Sequence, residues 1–173
     1  MRLVACTHEK HARPILEILN EAIENSTAIY DYIPRPFSSM EGWFHSKLVV
    51  GGPIIGVESD TGQLLGFASF GVFRGWPAYK YTVEHSVYVH HNHRGQGIAM
   101  LLMQELITTA RLQGRHVLVG GVDAANKGSI ALHLKLGFSH AGTILQAGFK
   151  FGRWLDLEFY QLILETPLYP IDG

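Results

Sequence analysis

Residues 84–99 read EHSVYVHHNHRGQGIA, and this stretch gives the clearest indication of the fold. The residues up to Val89 predict a strand, Gly95 and Gly97 predict a tight loop, and the residues from Ile98 onward predict a helix. Glycine lets the backbone approach a ligand closely, and the free N–H groups and dipole of a helix start favour negative charge. The stretch therefore predicts an anion site that would suit a pyrophosphate.

Two familiar nucleotide motifs do not fit this loop. No Gly-Lys-Ser/Thr follows it, as a Walker A loop requires, and it lacks the three-glycine spacing of a Rossmann turn. The segment RGQGIA at residues 94–99 instead resembles the acyl-CoA loop of the GCN5-related N-acetyltransferases, whose pattern is Arg/Gln-x-x-Gly-x-Gly/Ala.

Further segments strengthen this resemblance and narrow the subfamily. Residues 126–138, NKGSIALHLKLGF, resemble the family's late helix, with Asn126 suited to cap its start and Gly137 suited to the left-handed position after its end. Similarity to phosphinothricin and methionine sulfoximine acetyltransferases rests on three segments, RGWPAY at 74–79, TVEHSVYV at 82–89 and GFKFGRWLD at 148–156.

The resemblance implies an α/β fold of the GCN5-related N-acetyltransferase type, with a mixed, mostly antiparallel sheet flanked by helices. It implies acetyl-CoA as co-substrate, bound by backbone groups of a splayed strand and by the glycine loop. It also implies a homodimer, with residues 25–37 and 148–154 near the substrate mouth. The residues expected to bind the cofactor are Val87, Tyr88, Val89, Arg94, Gly95, Gln96, Gly97, Ile98, Ala99, Met100, Asn126 and Ser129.

Acetyl transfer to an amine requires a base for the ammonium proton and an acid for the departing thiolate. Glu84, at the start of the splayed strand, is the candidate base. His133 stands where many relatives carry a tyrosine thought to protonate the thiolate, and it is the candidate acid. Tyr88 and Tyr79 are the alternative acids. Cys6 lies outside the matched motifs, so a covalent acetyl-cysteine route has no support.

Arg74 is the candidate for gripping the substrate, because a guanidinium binds a carboxylate or an oxidised sulfur or phosphorus group in a bidentate fork. The resemblance favours L-methionine sulfoximine, L-methionine sulfone or a close analogue, acetylated on the α-amine. Phosphinothricin, other amino acids, a protein N-terminus, and a non-catalytic acyl-CoA-sensing module are the alternatives. Trp76, Phe37 and Tyr30 are the candidate aromatic walls of the pocket. The predicted substrate-binding residues are Arg74, Gly75, Trp76, Tyr79, Glu84, His85 and Ser86.

Histidines 85, 90, 91 and 93 invite a zinc interpretation. Strand alternation would place His85 and His91 on one face and His90 on the other, and no cysteine accompanies them. We therefore expect no metal.

The composition limits the other possibilities. A chain of 173 residues with 47% hydrophobic residues suits a single domain, residues 1–173. The net charge of -1, without clustered Lys or Arg, argues against a nucleic-acid partner. Cys6 is the only cysteine, the apolar stretch 64–73 is too short to span a bilayer, and the N-terminus does not resemble a signal peptide. We expect a cytoplasmic protein without membrane contact.

Hydrophobic periodicity predicts a strand, two helices, an antiparallel hairpin and then the order β-α-β-α-β-β. The first helix is predicted to begin after Pro14, and residues 25–37, with two prolines, to form a loop. The later helices are predicted from Ser38 or Ser39 to about 51, over 97–113 and from 126. The predicted strands cover 2–5, 54–58, 64–73, 83–90, 117–122, 139–146 and 154–164.

Overall fold

A computed structural model describes residues 1–172. Its helices are α1 (His8–Asn25), α2 (Ser39–Val49), α3 (Ile98–Leu112) and α4 (Lys127–Lys135). Its strands are β1 (Arg2–Ala5), β2 (Ile54–Glu58), β3 (Leu64–Val72), β4 (Thr82–Val89), β5 (Val117–Asp123), β6 (Ser139–Lys150) and β7 (Arg153–Ile163). No helix within the described residues is long and apolar enough to cross a membrane.

The seven strands form one mixed sheet in the order β1-β2-β3-β4-β5-β7-β6. Every neighbouring pair is antiparallel except β4 and β5, which run parallel. The predicted mixed, mostly antiparallel sheet with flanking helices is therefore confirmed. The hairpin predicted from residues 54–73 is formed by β2 and β3, and it turns at Gly62 with φ +82°.

Helices cover both faces of the sheet, and successive strand residues pack into different layers. Ile54 belongs to the cluster beneath α1 and α2, whereas the next residue, Ile55, belongs to the cluster beneath α3. Helix α4 packs against the α3 cluster through partly buried Ile130, Leu132 and Leu136. The functional strand β4 therefore presents alternate side chains to two different layers.

Helix α1 begins at His8 rather than after Pro14, so the predicted start was wrong. Thr7 caps the helix, with its hydroxyl accepting from the Lys10 N–H at 3.4 Å. The Thr7 N–H in turn donates to Nδ1 of buried His11 at 2.9 Å. Pro14 lies inside the helix and removes one backbone hydrogen bond. The cap and the buried apolar stripe from Ile15 to Ile23 offset that loss.

Strand β6 extends to Lys150, whereas the hydrophobic pattern predicted an end near Gln146. Two register shifts against β7 and a positive φ of 54° at Gln146 break the alternation of side chains along the strand. Because the alternation is interrupted here, the hydrophobic pattern predicted a strand that stops near Gln146. The longer strand includes Lys150 as its last residue, directly before the hairpin turn.

Candidate active site

The sheet opens between β4 and β5. Strand β4 pairs with β3 as far as Val89, but its pairing with β5 covers only Thr82–Glu84 opposite Val117–Val119. Beyond Glu84, the described part of the chain gives these two strands no paired residues. Backbone polar groups of β4 on this side are thus placed to bind a ligand, because such groups normally require a partner.

A cavity of about 1280 Å³ occupies this opening. It connects the N-terminal end of α3 with the side chains of β4 that face α1 and α2. All predicted cofactor residues except Gln96 line it, namely Val87, Tyr88, Val89, Arg94, Gly95, Gly97, Ile98, Ala99, Met100, Asn126 and Ser129.

The glycine loop has the geometry of an anion cradle. Gly95 and Gly97 have φ values of +76° and +80°, in the left-handed region that favours glycine. A Cβ at either position would meet no heavy atom within 4 Å, so both face open space. Helix α3 starts at the next residue, Ile98, and its first N–H groups lie at this end of the cavity. The loop therefore fits the pyrophosphate of acetyl-CoA.

Glu84 lies at the point where β4 and β5 separate. Its side chain opens onto the cavity, yet burial by the surrounding protein raises the pKa of the carboxyl above its ordinary value. Two cations, Arg74 and Lys47, oppose that rise. A carboxylate so placed can accept a proton from an amine that enters the cavity.

His85 lies on the opposite face of β4 from Glu84 and makes a buried pair with His133. The two Nε2 atoms are 2.9 Å apart, and His133 Nδ1 lies 2.7 Å from the Ser129 carbonyl oxygen. Because that carbonyl only accepts, His133 Nδ1 carries its proton and its Nε2 accepts from His85. Burial, reinforced by His133, lowers the pKa of His85 to about 3, and burial also lowers the pKa of His133. The pair is therefore uncharged near neutral pH.

Gly120 on β5 makes room for the two imidazoles. A Cβ at this position would lie 2.8 Å from His133 Nε2 and 2.8 Å from His85 Cε1. The side chain of His85, predicted to contact the substrate, is thus directed toward His133 and the core rather than to the Glu84 face. No local sequence pattern indicates the pair, since its two members lie on different elements.

The predicted substrate residues do not form one group. Four of them line the main cavity, namely Arg74, Glu84, His85 and Ser86. The other three, Gly75, Trp76 and Tyr79, line an adjoining hollow of about 340 Å³ that also includes Arg74. Phe37 lies elsewhere, below the Arg13 guanidinium at 4.9 Å. Of the three predicted aromatic walls, only Tyr30 lines the main cavity. Its aromatic lining residues are Tyr30, Phe73, Tyr88 and Phe159.

The expected alternation of the histidines was wrong in one respect. Strand β4 ends at Val89, so strand alternation does not extend to His91, which lies in a short 3₁₀ turn, His91–His93. The rings of His90 and His91 stack at 4.5 Å. Within residues 1–172, no group of three or more His, Cys, Asp or Glu side chains is arranged to hold a metal ion.

Lys47 and Lys150 are site residues that sequence reasoning missed. Lys47, on α2, lines the main cavity. Lys150 donates hydrogen bonds to the carbonyls of Ser26 and Ile29, in the segment after α1. Two residues of that segment, Thr27 and Tyr30, line the main cavity. Lys47 lies outside the segments that carry the resemblance. Lys150 lies within one of them, residues 148–156, but the local pattern does not indicate its contacts with the segment after α1.

Comparisons with known proteins agree with this geometry. The sequence profile of the Acetyltransferase (GNAT) family matches residues 15–138. An L-methionine sulfoximine/L-methionine sulfone acetyltransferase of Pseudomonas aeruginosa is 44% identical over 151 residues, which cover 87% of this chain and 88% of the relative. A phosphinothricin N-acetyltransferase of Alcaligenes faecalis is 35% identical over 89% of this chain and 76% of the relative.

Solved structures extend the comparison to the whole fold. A protein from Acinetobacter baylyi ADP1 superposes with a TM-score of 0.98 at 61% identity, covering 99% of this chain and 96% of that one. A Salmonella typhimurium protein solved with its cofactor acetyl-CoA superposes with a TM-score of 0.94 at 38% identity, covering 99% and 98%. The opened sheet and the glycine cradle agree with these similarities, and the chain belongs to the GNAT family of acetyltransferases.

Proposed function

We propose that this protein transfers the acetyl group of acetyl-CoA to the α-amine of a small amino acid, with L-methionine sulfoximine and L-methionine sulfone as its preferred substrates. The observation that carries the proposal is one continuous cavity joining the anion cradle at α3 to the Glu84 carboxylate. The names of the Pseudomonas and Alcaligenes relatives support an amino-acid substrate with an oxidised sulfur or a phosphorus group.

The residues of the chain supply the acid–base chemistry. Glu84 removes one proton from the substrate ammonium, directly or through a water, which leaves a neutral amine to attack the thioester carbonyl. Backbone N–H groups of Val87 to Val89 stabilise the charge that develops on the carbonyl oxygen. As the C–N bond forms and the C–S bond breaks, the attacking nitrogen loses its second proton and the departing thiolate gains one, so that the net proton released is the one taken by Glu84.

The proton for the thiolate is assigned to His133, whose ring lines the cavity. Because the single proton of the neutral His133 ring is on Nδ1, the ring can protonate the thiolate only after its Nε2 has received a proton from the substrate nitrogen, which displaces the hydrogen bond from His85. Tyr88 is the alternative donor, because burial raises the pKa of its hydroxyl to about 12 and keeps it protonated. Tyr79 is disfavoured, since it lines the smaller hollow.

Arg74 is proposed to bind the oxygens or the imine of the substrate side chain. Methionine lacks these polar groups, so its binding would leave the Arg74 guanidinium without an acceptor. We expect this to cost about 1–3 kcal/mol, which corresponds to roughly 5- to 150-fold in kcat/KM. The corresponding biological role is detoxification of the analogue by acetylation, in the cytoplasm.

A panel of four amines tests the function by thiol release from acetyl-CoA. We expect kcat/KM for methionine sulfoximine and methionine sulfone to exceed that for methionine by roughly 5- to 150-fold, with phosphinothricin as the competing substrate. Equal values for all four would reduce the proposal to a general amino-acid acetyltransferase. Stabilisation by acetyl-CoA without thiol release for any amine would favour the non-catalytic sensing module instead.

We also propose a homodimer that uses the β6–β7 hairpin. Large apolar side chains are exposed along it, more than expected for a surface in contact with water alone: Ile144 (53%), Leu145 (73%), Phe149 (46%), Phe151 (58%) and Trp154 (59%). Light scattering at micromolar concentration should give twice the chain mass of 19.3 kDa. A mass of one chain would contradict the dimer.

A further inference from the structure

We propose that Lys47 is a specificity-determining residue that binds the α-carboxylate of the substrate. The inference rests on the proposed function and deepens it. It assigns the two charges of an amino-acid zwitterion to two neighbouring protein groups, the ammonium to Glu84 and the carboxylate to Lys47.

The backbone register places the Lys47 ammonium beside Glu84. Gly71 on β3 is the direct cross-strand partner of Glu84 on β4, and side chains of such partners lie on the same face of the sheet. A Cβ at Gly71 would lie 3.5 Å from Lys47 Nζ, so the ammonium occupies the space above the glycine. Lys47 thus reaches from α2 to the face of the sheet that carries Glu84.

Lys47 makes no salt bridge within 4.0 Å in the part of the chain that the structure describes, and the one carboxylate whose charge acts on it, Glu84, lies beyond that distance. Its Nζ makes no side-chain hydrogen bond there either, and it lies 5.6 Å from the centroid of the Trp43 ring. By contrast, Lys10 pairs with Glu58, and Lys150 donates to three carbonyls. A partly buried cation without an acceptor is costly, and a bound carboxylate would remove that cost.

The cavity contains a second cation, Arg74, and the positions of the two cations suit different parts of the substrate. The amine and the carboxylate of an amino acid share one carbon, so the carboxylate must lie close to the group that receives the amine proton. Lys47 stands over the cross-strand partner of Glu84, which meets that requirement. Arg74 also borders the smaller hollow and is therefore better placed for the distal end of the side chain.

The test compares methionine sulfone with its α-carboxamide as acetyl acceptors, in the wild type and in Lys47→Met. Methionine keeps the length of the lysine stem and removes the charge. We expect the variant to lose about 10- to 100-fold in kcat/KM for the carboxylate substrate, mainly through KM, and much less for the amide. Lys47→Arg should restore most of the carboxylate preference. Lys127→Met, which removes an exposed ammonium outside both cavities, is the matched control and should leave the ratio of the two substrates unchanged.

Each outcome has a distinct meaning. If the wild type acetylates neither compound nor any amine of the panel, the proposed function fails. If the wild type acetylates methionine sulfone and Lys47→Met keeps the same carboxylate-to-amide ratio, the function stands and the role of Lys47 is overturned. If the variant instead loses the preference for methionine sulfone over methionine, Lys47 binds the oxidised sulfur and the assignment is overturned. Circular dichroism of the variants verifies that they fold.

Discussion

Glu84→Gln is expected to lower kcat for amino-acid acetylation by about 10²- to 10⁴-fold, the usual contribution of a general base. The amide keeps the shape and hydrogen-bonding capacity of the side chain but cannot accept the ammonium proton. Affinity for acetyl-CoA should change little, because the glycine cradle at α3 lies at the other end of the cavity. Steady-state kinetics and the thermal shift with acetyl-CoA measure the two effects separately.

The pH dependence gives a second measure of the same role. Burial raises the pKa of Glu84, and the carboxyl group acts as a base only when it is ionised. Activity should therefore rise with pH around a pKa that lies above the ordinary range of a glutamate. The Glu84→Gln variant should no longer show this rise of activity with pH. Its residual rate should instead follow the fraction of the substrate α-amine that is already neutral in solution.

An exposed glutamate on α1, Glu24, provides the matched control. Glu24→Gln removes the same charge away from the cavity lining and should retain the wild-type profile. Wild-type turnover of Glu84→Gln at all pH values would contradict proton removal by this residue. Substrate positioning would then have to account for catalysis alone.

The parts of the site that lie within one continuous segment could be predicted from the sequence. The strand, glycine loop and helix of residues 84–99 follow one another along the chain, and local conformation decides them. The same holds for the start and end of α4, where the Asn126 side chain accepts from the Ser129 N–H and Gly137 has φ +87°. The positive φ values in the loop are a direct consequence of using glycine there.

The parts that depend on contacts between distant segments could not be predicted. The His85–His133 pair requires the packing of α4 on the sheet and a glycine on β5. The position of Lys47 requires the packing of α2 beside β3, which brings its Nζ close to Gly71. Hydrophobic periodicity contains none of this information, because it reports only which face of an element is buried. For the same reason Trp76 was expected in the cavity, where the structure instead has Phe73.

Lys150→Met is expected to destabilise the fold strongly, and the reason lies at the end of α1. The last carbonyls of a helix have no partner within the helix, and a cation there is favourable. Helix α1 has no basic residue in its last turn. Lys150 supplies the missing cation from β6, and its Nζ donates to the carbonyls of Ile23 at 2.6 Å, Ser26 at 2.9 Å and Ile29 at 2.7 Å.

Methionine fills the same volume but donates no hydrogen bond, so three carbonyls around a buried side chain lose their donor together. At about 1–3 kcal/mol for each unsatisfied group, we expect the free energy of unfolding to fall by about 3 kcal/mol or more, and Tm by about 10 °C. The released segment contains Thr27 and Tyr30, which line the cavity. KM for the amino acid should therefore rise as well, while Lys47 and Glu84 keep their positions on α2 and β4.

Lys127→Met is the control for this effect, because Lys127 is exposed and donates to the single carbonyl of Ala124. We expect its Tm to remain within about 2 °C of the wild type, since isolated surface substitutions usually change stability by less than about 0.5 kcal/mol. Urea unfolding of both variants measures the difference directly. Equal stability of Lys150→Met and Lys127→Met would mean that water replaces the lysine at all three carbonyls, and that the segment after α1 is held by the packing of Tyr30 against Gly148 rather than by the ammonium.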